Sequence, residues 1–143
     1  MSVFKIKKIE AGWLEGYLEN DRFHKEFSYS DLTDFLGDLL EEIIFVIENK
    51  KEIGTVEAEL EPGTECWEIF YDNKNFVISI NDDGNDLQFI FNNNDFIDTF
   101  IKEIDNNLDK YDDNYLSFGI TDKRTIDDLK KYVSKIKKEL INE

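Results

Sequence analysis

Closely spaced carboxylates are the side chains whose types and spacing in this chain indicate chemistry. Glu57, Glu59 and Glu61 alternate with apolar residues, so a strand at this place projects all three from one face. A row of carboxylates on a rigid sheet suits a partner rich in Lys and Arg, because such contacts are charge-assisted hydrogen bonds. We therefore predict that Glu57, Glu59 and Glu61 bind a partner; a solvated strand face is the alternative interpretation.

His24 and Cys66 are the single histidine and the single cysteine, and neither lies in a catalytic pattern. His24 alternates with Phe23 and Phe27 in a predicted strand, so we expect it to face solvent. Cys66 lies beside Trp67 in another predicted strand, where a buried structural cysteine is the expectation. Its acidic neighbours do not favour a thiolate, and one Cys with one His is too few for a usual zinc site. The sequence therefore predicts a protein that is not an enzyme.

The run Asp82-Asp83-Gly84-Asn85-Asp86 carries the oxygen ligands that Ca²⁺ prefers. It does not fit an EF-hand, because Gly84 in the sixth position would make Ser79 the first ligand. A hairpin turn with Asp-Gly at its centre explains the same residues. The seven glycines form no phosphate-binding loop of either common pattern. We therefore predict no metal site and no cofactor.

The charge of the chain is strongly negative and unevenly distributed. The sequence has 33 Asp and Glu against 17 Lys and Arg, for a net charge of -16. Residues 31–128 hold 26 of the acids and only 7 of the bases. Such a body repels nucleic-acid backbones and anionic membranes, and it attracts cationic partners. The sequence therefore excludes nucleic acid and membrane as partners and favours a basic protein, unless the charge serves solubility alone.

A chain of 143 residues supports one domain, here residues 1–143. The apolar fraction of 41%, with 12 Phe, is too high for a disordered acidic tail. The sequence shows neither an apolar run of about 18 residues nor a recognisable leader segment, so we expect a cytoplasmic protein. As for its assembly, we expect a monomer or a homodimer.

Three strand-like segments lie in the first thirty residues, and a 3.6-residue period then predicts a helix. This helix is expected to start at Ser30 or Asp31 and to end near Asn49 or Lys50. Four strands joined by tight turns follow, and they must run antiparallel. The turn at residues 61–64 has Pro62 before a glycine, as a type II turn prefers.

Two helices complete the chain, one capped by Asn94 or Asp95 and one by Thr125 with Asp128. A short extended piece at residues 115–120 separates them. The predicted fold is α+β, with a mainly antiparallel sheet of about six or seven strands and three helices packed on one face. Four aromatic residues could either anchor an interface or belong to the core, and we favour the core for each of them: Trp13, Tyr17, Trp67 and Tyr71.

In size, acidity and α+β layout the chain resembles the small immunity proteins of bacterial toxin systems. The resemblance spans the chain but involves no diagnostic motif, so it assigns no role to an individual residue. Proteins of this kind neutralise a toxin, often a basic nuclease, by covering it with an acidic surface. The resemblance therefore implies a non-catalytic protein-binding module whose partner is a basic protein.

Two other classes of function stay open at this point. One is a homo-oligomeric accessory or structural protein, in which an edge strand such as the one near residues 3–9 pairs with its copy. The other is a divalent-metal-dependent enzyme that uses paired carboxylates.

Overall fold

The computed structural model describes residues 1–118 and 124–141, and their fold is α+β as predicted. Its strands are antiparallel but form two sheets, so the expectation of one sheet is wrong. The third and fourth strands of the chain, which lie on either side of the first helix, are not hydrogen-bonded neighbours, so the sheet is divided there. The first sheet has the order β1-β2-β3 and the second β4-β5-β6-β7. The strands are β1 (Val3–Glu10), β2 (Trp13–Glu19), β3 (His24–Ser30), β4 (Ile53–Glu59), β5 (Thr64–Tyr71), β6 (Asn75–Asp82) and β7 (Asn85–Asn92).

Three helical bodies accompany the sheets. The first is α1 (Phe35–Glu48) and the last is α4 (Ile126–Ile141). Between them a continuous middle helix comprises α2 (Asn93–Asp95), a π-helical segment (Phe96–Ile101) and α3 (Lys102–Asn114). Among the described residues, no helix has the length and apolar character needed to cross a membrane.

The helix starts differ from the predicted ones by a few residues. Asp34 caps α1 by accepting from the Gly37 N–H at 3.0 Å, because the predicted cap Ser30 is still the last residue of β3. Asn92 caps the middle helix by accepting from the Asp95 N–H at 2.8 Å. The end of α1 at Asn49 is confirmed.

The predicted capping box at the start of α4 is confirmed. The Asp128 N–H donates to the Thr125 hydroxyl oxygen at 3.3 Å, and the Thr125 N–H donates to the Asp128 carboxylate at 2.9 Å. The extended piece predicted at residues 115–120 is wrong over Leu116–Phe118, which form a 3₁₀ turn one residue after α3 ends. Gly119 and Ile120 lie outside the described residues.

A single apolar core lies between the inner faces of both sheets and the helices. In β1 a bulge between Ile6 and Lys8 breaks the alternation, so Ile9 rather than Lys8 points inward. In β3 the predicted inward face is confirmed, since Phe27 and Tyr29 are buried. The amphipathic patterns thus identify the buried faces correctly wherever a strand is regular.

Side-chain oxygens accept hydrogen bonds from backbone N–H groups on three edge strands. The Ile6 N–H on β1 donates to Glu103 of α3 at 2.7 Å. The Thr55 N–H on β4 donates to Glu42 of α1 at 3.1 Å, and the Ile90 N–H on β7 donates to the Ser2 hydroxyl at 3.1 Å. Pairing of β1 with a second copy would therefore require Glu103 to leave Ile6.

A buried ion cluster joins the start of α4 to α1. The Arg124 side chain is 5% exposed, and its guanidinium lies 3.2 Å from Asp34 and 2.8 Å from Asp38. Its Nε also donates to Glu41. The Tyr111 hydroxyl donates to Asp34 at 2.6 Å, and burial together with the charge of Asp34 raises the pKa of this tyrosine. Asp34 is thus a helix cap, an ion-pair partner and a hydrogen-bond acceptor at once.

Leu40→Ala tests the packing of α1. Leu40 is fully buried, so we expect a loss of about 2–5 kcal/mol in the free energy of unfolding, measured by urea denaturation. Leu32→Ala is the matched control, because Leu32 is 36% exposed and precedes the helix. Equal losses in the two variants would contradict the described packing of α1.

Arg124→Met tests the buried ion cluster. The variant leaves the 4% exposed Asp34 side chain without its cation, so we expect a loss of about 3–5 kcal/mol in the free energy of unfolding. Lys130→Met removes an exposed ion pair with Asp109 and should cost less than about 1 kcal/mol. A similar small cost for both variants would rule out a structural role for the cluster.

Candidate partner-binding face

The outer face of the second sheet carries an apolar row that crosses all four of its strands. Ile53 is paired with Phe70, Phe70 with Val77, and Val77 with Ile90. Ile53 and Ile90 are 56% and 52% exposed, and the two residues between them are half-buried. Four apolar side chains side by side on the outside of a sheet form a patch rather than scattered exposure.

Polar and acidic side chains follow this row on the same face. The next row along the strands is Thr55, Glu68, Ser79 and Gln88. One further step along the strands brings the pairs Glu57 with Cys66 and Asn81 with Asp86. We call these three rows of outward side chains the outer face. They present an apolar strip beside exposed carboxylates, with a shallow groove of about 410 Å³ over its centre.

The structure separates the three glutamates that the sequence groups together. Glu57 is exposed on the outer face and Glu59, at the end of β4, is half-buried on the same side. Glu61 lies beyond the strand, in the turn that the Leu60 N–H closes by donating to the Gly63 carbonyl at 2.9 Å. The Glu61–Pro62 peptide is cis, and Gly63 after it has a φ of 93°. The sequence analysis misses Glu68, which is paired with Thr55 of β4 and lies two residues after Cys66 on the same side of β5.

Cys66 is exposed on the outer face, so the expectation of a buried structural cysteine is wrong. The prediction failed because it took Cys66 to share the buried position of its neighbour Trp67, whereas adjacent strand residues point to opposite sides. Partial burial raises the pKa of the Cys66 thiol, and the charges of Glu68 and Glu57 raise it further. The acidic surroundings predicted for this thiol are therefore present.

His24 is solvent-facing, as predicted, with its side chain 47% exposed on β3. Its Nδ1 lies 2.8 Å from Glu19, and its ring stacks on Tyr17 with 5.1 Å between the ring centroids. It lies in the first sheet, whereas Cys66 lies in the second. His24 and Cys66 therefore do not lie on neighbouring strands of one sheet.

The four candidate aromatic anchors divide between the core and the surface. Trp67 and Tyr71 are fully buried, which confirms the prediction for these two. Trp13 and Tyr17 are half-buried and point away from the core of the first sheet, so the expectation of core positions is wrong for these two. None of the four belongs to the outer face, where Phe70 is the aromatic side chain.

The acidic run at residues 82–86 forms the predicted hairpin turn. Asp82 pairs with Asn85, and Asp83 and Gly84 between them have φ values of 54° and 86°. Two consecutive positive φ angles are typical of the type I′ turn that Asp-Gly favours. Among the described residues, no group of three or more His, Cys, Asp or Glu is arranged to hold a metal ion.

Comparisons of the chain with protein-family models, with curated proteins and with solved structures found no match.

The reactivity of Cys66 tests the electrostatics of the outer face. Because Glu57 and Glu68 raise the thiol pKa, Glu57→Gln with Glu68→Gln should lower it and increase the thiolate fraction at pH 8. We expect alkylation by neutral iodoacetamide to accelerate by roughly threefold, a rise that follows the thiolate fraction. In urea, native and variant chains should react at the same rate. An unchanged native rate would show that these carboxylates do not act on the thiol.

Proposed function

We propose that this protein is a non-catalytic binding module that uses the outer face to hold a basic protein. One observation carries the proposal: an exposed apolar strip lies directly beside carboxylates on one rigid sheet. Apolar side chains supply affinity by burial, and the carboxylates supply selectivity for Lys and Arg. The proposed partner-binding carboxylates are Glu57, Glu59 and Glu68, with Glu61 outside the central surface.

The charge of the whole chain supports a cationic occupant over a second copy. With a net charge of -16, two copies repel each other, whereas a basic protein is drawn to the surface before contact. This attraction acts mainly on the association rate and weakens as salt screens the field. A partner of this kind also agrees with the resemblance to immunity proteins, so the specific form of the proposal is neutralisation of a basic toxin.

Such a role needs the binding surface to be formed before the partner arrives. The outer face belongs to a four-stranded sheet whose other side is packed in the core, so its side chains are displayed without a folding step. A preformed surface avoids the entropy cost of ordering a segment on binding. This supports rapid capture, which is what neutralising a toxin requires.

A charge-matched pair of variants tests the proposal. The first carries Glu57→Gln and Glu68→Gln on the outer face and Glu59→Gln beside it, at the end of β4. The control carries Asp98→Asn, Asp113→Asn and Asp127→Asn, three exposed residues on helices. Each tagged protein is incubated with an extract of the native source, and bound proteins are identified at low and moderate salt.

We expect a basic protein to bind the native chain and the control, and to associate with the outer-face variant roughly tenfold more slowly at low salt. Expressed alone, that partner should arrest growth, and co-expression with the native chain should restore it. Equal binding by both variants would exclude the outer face, and elution at a multiple of 16.9 kDa without a basic partner would favour the oligomer instead.

A further inference from the structure

We propose that the partner's footprint continues from the outer face around β7 into a second groove, which takes a bulky apolar side chain of the same basic protein. This inference rests on the proposed function and specifies the chemistry of the partner. The second groove has a volume of about 550 Å³ and lies between β7 and the turn that joins β2 to β3.

The two grooves are parts of one surface. Asp86 and Gln88 line both of them, and Ile90 ends the apolar row and also lines the second groove. A partner seated on the apolar row therefore reaches the second groove without crossing an intervening element. Continuity of this kind allows one interface to use both concavities.

The lining of the second groove is suited to an apolar anchor. Met1 and Ile90 are 72% and 52% exposed, and half-buried Phe23 lies between the surface and the core. The Phe23 ring packs edge-on against Phe89 with 6.4 Å between the centroids, so its position is set from below. Large apolar side chains that fill such pockets commonly dominate binding energy at interfaces.

The wall of the groove is held in place by hydrogen bonds from one residue. The Asn20 side-chain amide donates to the Gln88 carbonyl at 2.8 Å, which joins the β2–β3 turn to β7. Its side-chain oxygen accepts from the N–H groups of Arg22 and Phe23 at 2.9 and 2.8 Å. The groove is thus formed in advance, and an entering side chain does not have to order the turn.

The size of the outer face also indicates a larger footprint. Its three rows comprise twelve outward side chains, counted over the four strands. A stable protein interface of standard size uses about 20–30 residues on each side. The second groove adds residues from the N-terminus and from the β2–β3 turn, and it brings the surface toward that size.

The two parts of the surface differ in their charged side chains. In the second groove Asp21 and Asp86 are balanced in part by Arg22, whose guanidinium lies 5.2 Å from the centroid of the Phe23 ring. The outer face shares Asp86 and also carries Glu57 and Glu68. The partner that fits is therefore a protein with a Lys- and Arg-rich patch and a large apolar residue at the border of that patch.

Protection of single thiols from alkylation tests this footprint. The native chain reports on the outer face through Cys66. Cys66→Ser with Asp21→Cys reports on the second groove, and Cys66→Ser with Asp98→Cys is the control on the π-helical segment. The probe is one peptide selected on the native chain from a phage-displayed library of random 20-residue sequences.

We expect the selected peptides to be rich in Lys and Arg and to contain a large apolar residue. At about ten times the Kd, occupancy should slow alkylation about tenfold at Cys66 and at the thiol introduced by Asp21→Cys, and should leave the Asp98→Cys thiol unaffected. Protection at Cys66 alone would overturn the extended footprint and leave the proposed function standing. Peptides without basic character, no protection at Cys66, or equal protection at all three places would overturn both.

Discussion

The packing of Trp67 joins the two sheets, and the rest of the structure depends on it. Trp67 belongs to β5, yet its ring lies against Phe4 and Phe27 of the first sheet and Phe35 of α1, with centroid distances of 6.4, 5.8 and 5.1 Å. Its indole N–H donates to the Tyr29 hydroxyl at 2.7 Å, so its polar atom is satisfied inside the core. Tyr29 donates in turn to a carboxylate of the second sheet, and burial raises the pKa of this tyrosine. The Trp67 side chain therefore connects the first sheet, the second sheet and α1, which are not joined to one another by strand pairing.

The arrangement of the candidate surface follows from this joint. Because Trp67 and its neighbours at alternate positions of the second sheet point inward, the residues between them must point outward. Phe70 and Val77 are consequently placed side by side on the outside. A single outward-facing apolar side chain is common on protein surfaces and would need no explanation. The same alternation puts Glu68 and Cys66 beside this pair. The outer face is thus a direct product of the inward packing, and its composition is what distinguishes it.

The sequence predicted the elements better than their assembly. Period-2 alternation identified the antiparallel meander and the 3.6-residue period identified α1, because both signals are local. The division into two sheets depends on contacts such as that of Trp67 with Phe4, which are distant in the chain and leave no periodic signal. The outward position of Glu57 was predicted from its spacing, but the apolar row was not, since its members come from four strands whose register had to be known. Cys66 was wrongly predicted to be buried because it was given the inward side of its neighbour Trp67, whereas it points to the opposite side of the strand.

The side chains that occupy the edge N–H groups have a consequence for the protein near its isoelectric point. At about pH 4.4 the chain carries no net charge, so electrostatic repulsion no longer keeps molecules apart. Growth of a fibre by strand addition needs free donors and acceptors at a sheet edge. The N–H groups of Ile6, Thr55 and Ile90 are already engaged within the molecule. Strand addition through these N–H groups of β1, β4 or β7 therefore requires Glu103, Glu42 or Ser2 to be displaced first, even when the chain carries no net charge.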